Sequence, residues 1–277
     1  MIYNIYIRFF TTIFLYFILS SLLIANAETI IKGEVIAGGL ILVNSFPGAN
    51  ARLDGKEILV SNQGIFIIGF KREPDPIQVL EIIENNQVKE KIILNVKKRL
   101  YNIQKINGIV KEKVDPPQSV LDRIYIERKN VRESRNQSLL IKELFYNNGF
   151  NVPASGPISG VYGSQRILNG KPKSPHYGID IALPKGFDVL APMDGIVMFT
   201  NNDLYFSGGT IIIGHGQGLT TSYLHLSEVL VKSGDRLKRG ELIGKVGSTG
   251  RATGPHLHWG AELNGQRLDP QYLKVFK

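Results

Sequence analysis

The chain has no cysteine, one tryptophan and three methionines among 277 residues. Without thiols there is no disulfide framework, no sulfur nucleophile, no iron–sulfur cluster and no thiolate-held zinc. Any metal must therefore be bound by histidine and carboxylate. Acidic side chains are the minority, 24 against 33 Lys and Arg. The excess is spread evenly, with 19 basic against 15 acidic residues over 28–155 and 13 against 9 over 156–277. A nucleic-acid face would concentrate basic residues on one element, so no nucleic-acid partner is expected. A mild, distributed positive charge suits an anionic polymer or surface outside the cytoplasm. Long apolar runs are also scarce: the one candidate covers residues 9–24, which excludes a multi-span transporter. At 43% hydrophobic and 21% charged, the composition is that of a globular protein rather than a disordered one.

That apolar run belongs to a leader. Residues 1–27 carry one charge, Arg8, and end in Ala25-Asn26-Ala27, a small-x-small cleavage pattern. A run of roughly 16 residues is shorter than the ~20 that a spanning helix needs, so it reads as a signal peptide. Export to the periplasm or cell envelope follows, and a leader left uncleaved would serve as a membrane anchor.

Beyond the leader the pattern is mainly β. Over 28–110, apolar and β-branched runs at 30–35, 40–43, 58–60, 65–70, 79–83, 91–96 and 101–110 alternate with turn signals such as Asp54-Gly55 and Asn85-Asn86. This spacing predicts a small β-sandwich-like domain, and it holds no histidine or catalytic cluster. Pro116-Pro117 breaks the pattern, because proline neither joins a strand ladder nor tolerates helix before it. Over 118–145 apolar residues fall among many charges, predicting an imperfectly amphipathic helix within a linker spanning 111–150. From 151 to 277 glycine-punctuated short runs predict a compact antiparallel β domain, with strands near 179–182, 195–199, 210–213, 219–226, 241–246 and 256–263.

All five histidines lie in that last part: His176, His215, His225, His256 and His258. His176 precedes Asp180 by four residues. In extended chain their Cα atoms would stand about 13 Å apart. Sharing an ion therefore requires a bend, which Gly178 can supply. His256 and His258 are two apart in a predicted strand and so share one face, with Cα atoms about 6.6 Å apart. His225 ends a strand, where it reads equally as a histidine satisfied at a strand terminus. His215, between Gly214 and Gly216, reads as a turn histidine. A catalytic zinc takes three protein ligands and keeps one position for water. Two imidazoles and a carboxylate meet that need, and two further imidazoles are available for proton transfer and oxyanion stabilisation. The Gly247–Gly254 stretch lacks the Lys-Ser/Thr ending of a phosphate loop and reads as a turn leading to His256, with Arg251 available for a substrate carboxylate.

The set His176-x-x-x-Asp180, Tyr223-Leu224-His225-Leu226-Ser227 and Gly254-Pro255-His256-Leu257-His258 resembles the LytM or lysostaphin-type zinc endopeptidases of bacterial cell walls, peptidase family M23. The resemblance covers about 155–273, and residues 162–175 look like the versions found in Gram-negative bacteria. It implies a LytM-like fold related to duplicated hybrid motifs and one Zn²⁺ ligated by His176, Asp180 and His258. It implies that His225 and His256 act on the attacking water and the developing oxyanion, His256 being the general base. The expected reaction is hydrolysis of peptide cross-links between peptidoglycan stem peptides. The alternative is a non-catalytic LytM-like module that binds the wall or activates an amidase; such modules typically lack some of these residues. One departure stands out: Trp259-Gly260 occupies the place where the family usually has an aromatic residue followed by Glu.

Overall fold

The computed structural model describes residues 29–277; the predicted leader, 1–27, lies outside them. Among the described residues no helix is long and apolar enough to cross a membrane. The chain is mainly β, as expected, and its sheets are predominantly antiparallel.

The N-terminal part is two facing sheets. Ile30–Gly33, Leu40–Asn44 and Ile65–Gly69 form one. The other runs in the order Lys56–Ile58, Asn50–Leu53, Ile77–Glu84, Gln87–Asn95. Strand alternation explains the packing. Ile41, Val43, Phe66 and Ile68 point between the sheets and meet Leu80, Ile82 and Leu94. Leu40 and Ile67 point the other way and are buried in the core of the C-terminal domain. Both faces are covered, so these strands read as continuous apolar runs rather than as an alternating pattern. The hairpins close on Asp54-Gly55 and Asn85-Asn86, each pair with two positive φ angles, which match the right-handed strand twist.

Ile103–Ile106 does not join either of those sheets. It pairs in parallel with Gln165–Leu168, setting Gln104 opposite Arg166. The chain then runs through a single helical turn, Lys111–Val114, into the linker helix Leu121–Gln137. The segment is fastened on two sides. Asn169 clamps Ile109 with its side-chain amide, and Lys173 donates to the Val114 carbonyl at 2.7 Å. On the other side Lys113 donates to the Tyr205 carbonyl and the Tyr205 hydroxyl donates to the Glu112 carbonyl, both at 2.7 Å.

The C-terminal domain is built on an eight-stranded sheet whose main path runs Arg236–Leu237, Gly195–Leu204, Gly208–Gly214, Leu219–Leu226, His256–Leu263, Ile179–Ala182, Ile158–Gly160. One face carries Ile211, Ile213, Tyr223, Leu257, Trp259, Ile179 and Ile181 into the core. A smaller sheet of Asp188–Leu190, Leu242–Lys245 and Glu228–Val229 supplies Val189 and Ile243 to the same core. The intervening residues, Asp180, His256, His258, Leu224, Ile212 and Glu262, project from the opposite face. The linker helix lies along part of that face, burying Ile124, with Arg135 3.0 Å from Glu262. Leu40 is 1% exposed at the junction of the two cores. Leu40→Ala should cost about 2–4 kcal/mol, read as a lower urea midpoint for unfolding.

Candidate metal centre

The register of two strands assembles the centre. Ile179–Ala182 pairs with His256–Leu263 so that Asp180 stands opposite His258. His176 joins from the preceding loop, which bends at Gly178. Only glycine fits there: a Cβ would lie 2.6 Å from the Trp259 carbonyl oxygen and 2.7 Å from His258 Nε2. His176 Nε2, Asp180 Oδ1 and His258 Nδ1 consequently form a triangle with edges of 3.0, 2.8 and 2.9 Å. A tetrahedral ion with ~2.0 Å bonds spaces its ligand atoms about 3.3 Å apart, so sub-ångström relaxation accommodates one. His176 Nδ1–H donates to the Val161 carbonyl at 3.1 Å, which leaves its Nε2 lone pair facing the triangle.

The remaining two histidines frame this point. His256 donates from Nδ1 to the Gly254 carbonyl at 2.9 Å and brings Nε2 to 3.7 Å from Asp180 Oδ1. His225 donates from Nδ1 to the Thr249 carbonyl at 2.8 Å. Its ring centroid is 4.8 Å from that of His256 and 6.1 Å from that of His258. Both rings are held by backbone carbonyls in the tautomer that leaves Nε2 free to accept a proton.

His225 reaches this place against the strand pattern. Tyr223 and Leu226 are both in the core, three residues apart, where strict alternation would put them on opposite faces. The discrepancy is absorbed at His225, which has φ 65°, and its ladder to the neighbouring strand shifts register there. Left-handed backbone at a non-glycine residue is a strained conformation kept by its surroundings, here by the Ser207 carbonyl that accepts the His225 N–H at 2.8 Å.

Electrostatics favour neutral imidazoles beside an ionised carboxylate. Burial lowers the pKa of His258 to about 4 and that of His225 to about 3, the latter aided by repulsion from the neighbouring rings. Burial alone would raise the Asp180 carboxyl, but hydrogen bonding with His176 and His258 outweighs it and holds the group well below the ordinary carboxylate range.

Sequence reading missed Arg166. Its guanidinium donates to Asp180 Oδ2 at 2.7 Å, binding the carboxylate oxygen turned away from the two rings. Gly160 makes room for that oxygen, since a Cβ there would be 2.4 Å from it. No local motif marks Arg166, because its partner is set by the pairing of strands rather than by spacing.

The other singled-out residues are accounted for. His215 is fully buried, donating to the Asp194 carbonyl and accepting from Thr221, a structural turn histidine. The 247–254 loop folds back so that His256 N–H donates to the Gly247 carbonyl. Arg251 lies over the Phe206 ring, 4.6 Å from its centroid, on the wall of the cleft. Trp259 stacks on Phe150 in the core, away from the cavity that holds Asp180, His225 and His256.

Comparison with known proteins places this geometry. Residues 174–270 match the model of Peptidase family M23. The peptidoglycan DD-endopeptidase ShyA of Vibrio cholerae is 46% identical over 102 residues, 37% of this chain and 24% of that protein. The DD-carboxypeptidase/endopeptidase Mpg of Neisseria meningitidis is 45% identical over 95 residues, 34% of this chain and 22% of that protein. The match thus spans about a quarter of the length of these relatives. A crystal structure of a putative peptidase M23 from Pseudomonas aeruginosa is 28% identical, with a TM-score of 0.64 over 89% of this chain and 97% of that one. Strand register, donor set and relatives agree: the C-terminal part of the chain carries a domain of peptidase family M23.

Proposed function

We propose that the protein is an exported zinc-dependent endopeptidase that hydrolyses peptide cross-links of peptidoglycan. The observation that carries this reading is the convergence of His176, Asp180 and His258 on one point, with two further imidazoles facing it. The chemistry of the donor set fits one Zn²⁺, held by His176 Nε2, Asp180 Oδ1 and His258 Nδ1. Bound there, the ion acidifies water and polarises a carbonyl. His256 Nε2 takes the proton of the attacking water and returns it to the leaving amine. His225, across from it, donates to the oxyanion only in its protonated form, because its Nδ1–H is held by the Thr249 carbonyl; the negative charge developing on the oxyanion offsets the penalty that burial places on that form. Arg166 orients the carboxylate so that Oδ1 alone is offered to the ion. The non-catalytic reading is the weaker one, since no ligand or flanking histidine is missing.

The same reading gives residues 103–115 a role. Gln104, Ile106 and Ile109 line the cavity, about 390 Å³, that holds Asp180, His225 and His256. The segment is fastened to both walls, and we infer that it hinders entry of a polymeric substrate and keeps this form latent.

Purified protein should carry zinc and release cross-linked fragments from sacculi, and chelators should abolish that release. His176→Ala should lose metal, whereas His256→Ala should keep it and lose turnover by 10²–10⁴-fold; equal metal loss in both would refute the division of roles. Arg166→Gln should weaken zinc binding by about 10-fold or more in a chelator competition. Lys113→Ala combined with Tyr205→Phe removes two of the fastenings over the cleft. It should speed fragment release by about 5-fold or more, and an unchanged rate would count against latency.

A further inference from the structure

The open face of the sheet does not end at the metal centre. Where the linker helix lies over it, a cavity of about 530 Å³ remains between helix and sheet. Its floor is apolar, formed by Ile212 and Leu224 of the sheet and Phe206 beside them, with Ile124 and Val131 from the helix. Its rim is cationic. Arg128, Arg132 and Arg135 project from the helix and Arg267 from the sheet side.

These four guanidiniums outnumber the carboxylates that could neutralise them. Glu127 is engaged by Arg123 at 2.6 Å and by the Tyr205 N–H at 2.8 Å. Glu262 is shared by Arg135 at 3.0 Å and Arg267 at 2.7 Å. Among the described residues no carboxylate pairs with Arg128 or Arg132, both of which are exposed. Arg135 has a side chain only 10% exposed, and its Nε has no acceptor. Such an unmet buried donor is costly unless a ligand or a compensating charge answers it. Burial, together with repulsion from Arg267, pushes the pKa of the Arg135 guanidinium down to about 9 against the pull of Glu262.

The cavity also adjoins the chemistry. Leu224 on its floor is the register partner of His258. Residues paired across an antiparallel ladder stand about 5 Å apart. The Phe206 ring separates the two chambers, with Arg251 on the metal side, 4.6 Å from its centroid, and Arg128 on the other, 5.7 Å away. A bound peptide advances about 3.3 Å per residue, so a side chain one to three residues from the bond at the metal reaches the arginine rim.

We propose that this cavity is a subsite for a carboxylate-bearing part of the peptide substrate, with the anion held by Arg128 and Arg132 above Arg135 and the aliphatic part resting on Leu224 and Phe206. The ligand class follows from the lining: an apolar floor under a planar, fork-shaped set of donors selects a short aliphatic group ending in a carboxylate. The helix that supplies three of the arginines lies outside the 174–270 stretch matched by the family model. The assignment rests on the peptidase reading of the neighbouring centre, but its test is separable from it.

The test titrates the zinc-loaded full chain, by calorimetry, with a short peptide bearing two free carboxylates and with the same peptide carrying both as carboxamides. The free acid should bind about 10-fold more tightly. The double substitution R128Q/R132Q, at two exposed positions without carboxylate partners, should bind the two peptides alike while circular dichroism and zinc content report an intact fold. A cross-linked peptide substrate prepared in the same two forms should show the discrimination in KM rather than kcat. Equal binding of acid and amide by the unsubstituted chain, or an unchanged preference in R128Q/R132Q, would overturn the proposal. So would tighter binding of dodecyl phosphate with no discrimination between the peptides, which would assign the cavity to a lipid anion. Failure to cleave either cross-linked form would remove the hydrolase reading and leave the calorimetric difference to decide the subsite.

Discussion

The antiparallel register of Ile179–Ala182 against His256–Leu263 is the constraint on which the rest depends. It sets Asp180 opposite His258 on the open face while Ile179, Ile181, Leu257 and Trp259 fill the core behind them. A slip of one residue would turn over the displaced strand, sending Asp180, or His256 and His258, into an apolar interior and exposing the Ile179 and Ile181 pair or the Leu257 and Trp259 pair, so the core enforces the site. Burial then favours the neutral form of His258, while hydrogen bonds from His176 and His258 keep the Asp180 carboxylate ionised against the same burial, the protonation states that a divalent cation requires.

A second theme is the unequal charge along the open face. Arg166, Arg251 and Arg128 succeed one another from the centre toward the linker helix, and burial together with repulsion from Arg166 and Arg128 lowers the pKa of Arg251. Among the described residues only Arg166 in that row has a carboxylate partner, Asp180. The even charge distribution seen along the chain thus hides an uneven distribution in space, because strands and helix distant in sequence bring their arginines to one face.

The N-terminal sheets and the C-terminal domain are joined through Leu40 and Ile67, and Ile103–Ile106 lends its backbone to the strand that carries Arg166. The connection therefore passes through a strand pair next to Asp180, and displacing the 103–115 segment would alter the support of Arg166 as well as access to the cleft.

Much of this was legible beforehand. Turn pairs such as Asp54-Gly55 announced hairpins because only a few residues tolerate positive φ, and the strands at 179–182, 219–226 and 256–263 coincide with the apolar pattern. The motif around His176 and Asp180, with His256-Leu257-His258, specified the donor types, and Gly178 marked the bend between them. The linker helix was expected from its charges, but not that some of those charges face inward: Arg135 meets Glu262 across a distance in sequence that no helical period encodes. Arg166 escaped notice for the same reason. His225 could be named but not aimed, because alternation directs it into the core and only the local left-handed backbone turns it toward the other rings. Composition and spacing by themselves determined which atoms were available and which elements would carry them. Strand register, a single reversed φ angle and the docking of a polar helix decided where those atoms meet, because these depend on contacts between residues far apart in the chain.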